Sequence, residues 1–121
     1  MAKPARKLTS SAIAALERVR TAASKFADVE ESTSFGNPSF RVRKKAFAVI
    51  DRYEDRDCLW VRVGPSNRQR LLKRRGWFPS PYDPGKTALC CALVNIDWRS
   101  MRSQLRASYE LALFRPRKVP K

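Results

Sequence analysis

The chain has no histidine in 121 residues, only four glycines, and three cysteines, two of them adjacent. Without histidine the commonest general base is missing. No nucleophile elbow, phosphate-cradling glycine loop or metal-ligand set is visible either, so the sequence reads as a non-enzyme with no catalytic residues. The lack of both histidine and a Cys-x-x-Cys pair argues against a transition-metal site. Acidic residues number only 11. Their clusters, Glu30-Glu31 and Asp55 with Asp57, read as a helix exit and a loop, too thin to hold calcium or iron. No metal or other cofactor is therefore expected. Cys58, Cys90 and Cys91 are odd in number, and Cys90-Cys91 lies within the apolar run from Ala88 to Val94, as strand filler and not as a ligand pair. No apolar run approaches the roughly 20 residues that cross a bilayer. Met1 to Leu8 is basic with no apolar core behind it, so no secretory signal is expected and a cytoplasmic location is. Internal repeats and low-complexity segments are absent.

Positive charge is what the chain has in excess. Lysine and arginine total 26 against 11 acids, a formal charge of +15, where a magnitude of about 2 to 8 keeps a small domain soluble. Such a surplus is self-repulsion that a polyanion relieves. Arginine outnumbers lysine, which suits forked contacts to phosphate and guanine; a genome that writes arginine wherever lysine would serve produces the same bias.

At this length one domain is expected. Residues 1–8, with Lys3, Arg6 and Lys7 around Pro4, read as a basic flexible tail. Thr9, Ser10 or Ser11 can cap a helix in which Ala12, Leu16, Val19, Ala23 and Phe26 recur at helical spacing, and which is expected to run to about Asp28. Val29 to Thr33 then leads into a reversal at Gly36, Asn37 and Pro38. Phe40 and Val42 alternate with Arg41 and Arg43, and beyond Lys44-Lys45 the same period places Ala46, Ala48 and Ile50 against Phe47 and Val49. These are two strands of a hairpin. Its tip, Arg43-Lys44-Lys45, has no residue that readily takes positive φ, which favours a longer loop over a two-residue turn.

A charged turn follows from Asp51 to Asp57, and Cys58 to Val63 alternates as a third strand. Gly64-Pro65-Ser66 opens a short helix that Gly76 can close. The segment from Trp77 to Gly85 reads as a proline-rich structured loop, and Thr87 to Ile96 as the best-buried strand. Asp97 is a candidate cap for a last helix with the apolar stripe Trp98, Met101, Leu105, Tyr109 and Ala112 or Leu113, stopped by Phe114-Arg115-Pro116. The fold class is α+β: a single compact domain whose antiparallel sheet is a meander of three strands plus a later strand, with N- and C-terminal helices packed on it.

The ordered residues Glu30-Glu31, Ser34-Phe35-Gly36-Asn37-Pro38-Ser39-Phe40-Arg41-Val42, Lys45-Ala46-Phe47-Ala48, Leu59-Trp60-Val61-Arg62-Val63, Pro81-Tyr82, Asp97-Trp98 and Ser108-Tyr109-Glu110-Leu111 together resemble the MmcQ/YjbR-like family. The resemblance covers about residues 10–115 and makes 9–115 the domain, with 116–121 a second basic tail. It implies a compact α+β fold, described for that family as a double wing and suggested to bind DNA. Two departures stand out. Lys44 occupies a turn position where glycine is common, and Ala88-Leu89 stands where Gly-Trp often follows the tyrosine loop, which bears on whether the loop at Tyr82 forms a ligand pocket.

Candidate contacts follow from charge and position. Arg41, Arg43, Lys44 and Lys45 read as a wing that touches phosphates, or as a hairpin edge kept soluble by charge. Arg70, Lys73 and Arg74 project from the short helix as a phosphate site or a solvated face, while Arg68 and Arg75 are expected to run their stems along apolar surface with their heads in water. Arg99, Arg102 and Arg106 could extend the same patch along the last helix, but read first as its structural flank, with Arg106 able to pair with Glu110. Trp60 is expected in the core, with Trp77, Phe78 and Tyr82 packing over the sheet edge in preference to stacking on bases. The partner so implied is nucleic acid, duplex DNA before RNA, bound through its backbone. The alternatives are a module that docks an acidic protein and, third, a small-ligand binder; oligomeric state is not legible.

Overall fold

A computed structural model describes residues 6–81, 83 and 85–114. Three helices lie on one face of a six-stranded antiparallel sheet, which confirms the α+β architecture and adds two strands to it. Helix α1 is Ser10–Ala23. The meander is β1 (Val29–Ser34), β2 (Asn37–Val42), β3 (Lys45–Tyr53) and β4 (Arg56–Arg62). After α2 (Pro65–Leu72) come β5 (Trp77–Pro79), β6 (Ala88–Ala92), a 3₁₀ turn at Leu93–Asn95 and α3 (Trp98–Leu113). The strand order is β1-β2-β3-β4-β6-β5.

The helix caps follow from sequence. Thr9 Oγ1 accepts from Ala12 N at 3.1 Å and Asp97 Oδ1 from Arg99 N at 3.1 Å, while Gly64 and Pro65 open α2. Helix α1 stops at Ala23, five residues short of the expected end; Asp28, at φ 60°, instead turns the chain into β1. That strand replaces the expected helix exit, and Glu30 and Glu31 belong to it. The reversal is made by Phe35 and Gly36, at φ 51° and 84°, so Asn37 and Pro38 already lie in β2. The proline-rich segment supplies the edge strand β5, where Pro79 needs no further hydrogen-bonding neighbour. Of the apolar run after Thr87, only Ala88–Ala92 is strand, and all five residues are buried.

The wing turn also departs from expectation. Val42 pairs with Lys45, which leaves a two-residue turn of Arg43 and Lys44 at φ 49° and 67°. Glu54 and Asp55, at φ 51° and 62°, do the same between Tyr53 and Arg56. The right-handed twist of paired strands demands this backbone whether or not glycine is available.

Phe40 pairs with Ala48 but Arg41 with Ala46, so Phe47 is an extra residue in β3. A bulge of this kind aims two successive side chains at one face. Phe47 therefore joins Ala48 and Ile50 in the core, against the alternation read from sequence. There it packs between Phe26, Phe40 and Tyr109, at ring separations of 6.2, 6.4 and 5.5 Å. Ser108 of α3, fully buried, closes the gap in the ladder: its Oγ accepts from Arg62 N at 2.8 Å and donates to Phe47 O at 2.5 Å.

The expected tail, residues 1–8, is only partly described. Arg6 is docked: its N donates to Gly36 O at 3.0 Å, its Nε to Asn37 Oδ1 at 2.5 Å and its Nη2 to Ile50 O at 3.3 Å. Residues 1–5, Tyr82 and the segment 115–121 lie outside the described residues. Among the described residues no helix is long and apolar enough to cross a membrane.

Candidate nucleic-acid interface

Charge is spread unevenly over the sheet, with Glu30 of β1 facing Arg41 near the wing and Arg52 and Arg56 among the acids of the other end. The β2–β3 turn, with Arg43 and Lys44, and the β3–β4 turn, with Glu54 and Asp55, necessarily occupy opposite ends of β3. Asp51 and Asp57, paired across β3 and β4 with Cys58 and Arg52, join the acidic end. Among the described residues, ion pairs engage Arg6, Arg20, Arg52, Arg68 and Arg106. Acids thus gather around a few arginines and leave many cations without a carboxylate.

The nominated residues fall into two groups. At the wing, Arg43, Lys44 and Lys45 are exposed and make no ion pair or side-chain hydrogen bond among the described residues. Arg41 is half-buried beside them, and its Nη2 donates to Thr33 O at 3.1 Å, which ties it to β1. On the far side of the sheet, Lys73 and Arg74 are exposed where α2 ends, and Arg70 is exposed but bound to Asn67. Helix α2 packs on β5, and β4 and β6 separate that edge from the wing. At about 4.8 Å per strand, the two groups are on the order of 15 Å apart across the sheet.

Arg68 departs from expectation. It is half-buried, with Nη1 donating to Ala88 O at 2.9 Å and lying 3.8 Å from Asp83 Oδ2. It ties α2 to β6 and leaves the contact surface. Arg106 does pair with Glu110, at 3.2 Å.

The helix-free face carries a groove of about 690 Å³ lined by Phe35, Asn37, Ala46, Val49, Asp51, Tyr53, Trp60 and Ser80, among others. Trp60 belongs here and not in the core: it pairs with Val49 on one side and Cys90 on the other, and is half-buried beneath the Arg62 guanidinium at 5.6 Å. Burial holds the Arg62 pKa below the ordinary arginine value, and its Nε donates to Ala46 O at 2.6 Å. Tyr53 donates to Asp51. Withdrawal from water and then that carboxylate raise the phenol's pKa above the usual tyrosine value. Asp51 also accepts from Asn37 Nδ2 at 3.2 Å and from Arg52 N at 2.8 Å. A carboxylate in its wall makes this groove better suited to an uncharged planar group than to a phosphate chain.

A second groove, about 470 Å³, runs between α1 and α3, lined by Arg18, Thr21, Lys25, Trp98, Arg99 and Arg102 with Glu17 at its rim. Sequence reasoning passed over Arg18 and Lys25 and assigned Arg99 and Arg102 a structural role. Lys25 lies in the turn just after α1, so helical spacing from Arg18 gave no signal for it.

The cysteines are all free and buried. Burial pushes the Cys91 thiol up to about 11, and Cys58 is raised by a hydrogen bond with Cys90 and by burial. Neither has the thiolate character of a nucleophile.

Comparison with known proteins agrees with this architecture. The structure of the Deinococcus radiodurans protein DR2400, described as a DUF419 domain, superposes with a TM-score of 0.68 at 19% identity, over 79% of this chain and 76% of that one. A Pseudomonas syringae protein superposes with a TM-score of 0.64 at 18% identity, over 79% of this chain and 97% of that one. At these identities the likeness is one of fold. No curated protein matches the chain. The family model YjbR matches residues 24–111, from the turn after α1 to near the end of α3, and the chain belongs to the YjbR family.

Proposed function

We propose that this protein binds nucleic acid, duplex DNA foremost, through its backbone phosphates, with the wing turn as first contact. The reading rests on one observation: Arg43 and Lys44, which form the two-residue turn, and Lys45 beside it stand exposed with no carboxylate partner among the described residues. Each of the three cations can replace a condensed counterion of the nucleic acid, and the release of those counterions drives association. A two-stranded ribbon also has the width to enter a major groove. Base-specific readout forms no part of the proposal, and neither does catalysis.

The test is a titration of labelled duplex DNA across salt concentrations. Counterion release gives a log-log slope of about −0.9 per neutralised phosphate on B-form DNA. Arg43→Gln, Lys44→Gln and Lys45→Gln together should flatten the slope by up to about 2.7 on the same scale while leaving the thermal transition in place. An affinity that ignores salt rejects the reading; an unchanged slope in the triple variant removes the wing from it. A protein that binds poly-glutamate but not DNA belongs instead to the class of modules that dock acidic partners.

A further inference from the structure

We propose that the groove between α1 and α3 is a second phosphate track, which holds the backbone of a nucleic-acid strand on the helical side of the molecule. The inference rests on the nucleic-acid reading above but uses none of the wing residues.

The groove has cations on both walls. Arg18 and Lys25 stand on the α1 side, and Arg99 and Arg102 on the α3 side. All four are exposed, and none has an ion pair or a side-chain hydrogen bond among the described residues. The one acid at the rim, Glu17, is engaged by Arg20, which also clamps Glu31 through Nε and Nη2 at 2.8 and 2.9 Å. Glu17 is thus paired by a residue outside the groove, and the four lining cations remain in excess over the one lining acid. Arg18 is further held over the Trp98 ring at 5.5 Å. This contact orders the stem and leaves the guanidinium edge free to donate.

Charge complementarity selects the occupant. Like charges facing each other across a groove repel, and the arrangement is relieved only by an anion lying between them. The unesterified oxygens of a phosphodiester point to both sides of the strand, so one phosphate can be met from both walls. Arg99 and Arg102 are three residues apart on α3, about 4.5 Å of helical rise, and so neighbour each other on one helix surface. The α1–α3 groove is therefore matched to a continuous polyanion, in contrast to the groove on the other face with its carboxylate.

Two measurements on the full chain test this with a short mixed-sequence DNA duplex. The first is the rate at which acetic anhydride modifies Lys25, read by mass spectrometry against exposed Lys86 as reference. Saturating duplex should slow modification of Lys25 several-fold and leave Lys86 unchanged. The second is the salt slope of Lys25→Gln/Arg99→Gln/Arg102→Gln, which should flatten by about 2.7 if three phosphates are lost, with an unchanged circular-dichroism melt. Wild-type binding with Lys25 unprotected and the slope unaltered overturns the groove and leaves the wing standing. Absence of salt-dependent binding by the wild type overturns both. Protection of Lys25 by poly-glutamate but not by DNA overturns the phosphate assignment in favour of a carboxylate chain.

Discussion

Val42 and Lys45 face each other across the wing, and this pairing forces Arg43 and Lys44 into the left-handed region together. For an L-residue with a side chain that conformation costs roughly 1–2 kcal/mol. The same conformation recurs at Glu54 and Asp55, so it belongs to the two-residue turn itself. Lys44→Gly separates the two roles of the position. It should raise stability by up to about 1 kcal/mol, the relieved strain being partly offset by the looser unfolded chain. It should also weaken duplex binding and flatten the salt slope by about 0.9. Urea denaturation and a salt titration of the same variant check both. A variant that is less stable than the wild type shows that the turn carries no such strain.

Ser108 makes the bulge at Phe47 tolerable. Its hydroxyl is the partner of two backbone groups, Arg62 N and Phe47 O, and the side chain is fully buried. Ser108→Ala leaves both without that partner and should cost about 1–3 kcal/mol. The loss is measured by chemical denaturation. Faster amide exchange should appear at Arg62, where β4 meets α3, well before it reaches β6. A cost below about 0.5 kcal/mol, the usual range for a neutral surface change, means that water replaces the hydroxyl.

These two features also mark the limit of what the sequence discloses. The helices were legible because their caps and apolar stripes are local: Thr9, Asp97, Gly64-Pro65 and the run Met101, Leu105, Ala112 all sit where spacing places them. Strand β1 was hidden because Glu30, Glu31, Ser32 and Thr33 form a polar edge with no buried alternation. The bulge cancels the period of two at Phe47, so a face assignment made by counting fails there. Trp60 was misplaced because which face of a sheet the helices cover is a tertiary fact. Among cations, identity was readable but partnership was not: Arg68 is consumed by Ala88 and Asp83, while Arg18 and Lys25, passed over in sequence, stand unpaired.

Arg6 extends the folded unit beyond the first helix. Its side chain reaches Asn37 and Ile50 O, and it lies 3.7 Å from Asp57, whose Oδ2 also accepts from Thr9 Oγ1 at 2.6 Å. It therefore connects β2, β3 and β4 at the acidic end of the sheet. Arg6→Ala should lower stability by about 1–3 kcal/mol, since polar groups with little access to water lose a charged donor. Lys7→Ala, exposed and without a described partner, should have almost no effect. Equal melting temperatures for the two variants would mean that Arg6 is no more than tail.

Glu31 supplies the pH dependence of the β1 edge. Both of its oxygens accept from Arg20, and that hydrogen bond holds the carboxyl below the ordinary glutamate range. A lowered folded-state pKa means that the stabilisation is fully present above the unfolded value, about 4.3, and is lost as pH falls through the folded one. The two side chains are 44% and 43% exposed, so the effect is small and weakened by salt. The wild type should melt above Glu31→Gln at pH 7 in low salt, and the gap should narrow with added salt. Below about pH 4 the gap should close as the wild-type carboxyl takes up its proton. A gap that persists unchanged to pH 3 would assign the difference to packing of the edge strand and not to the ion pair.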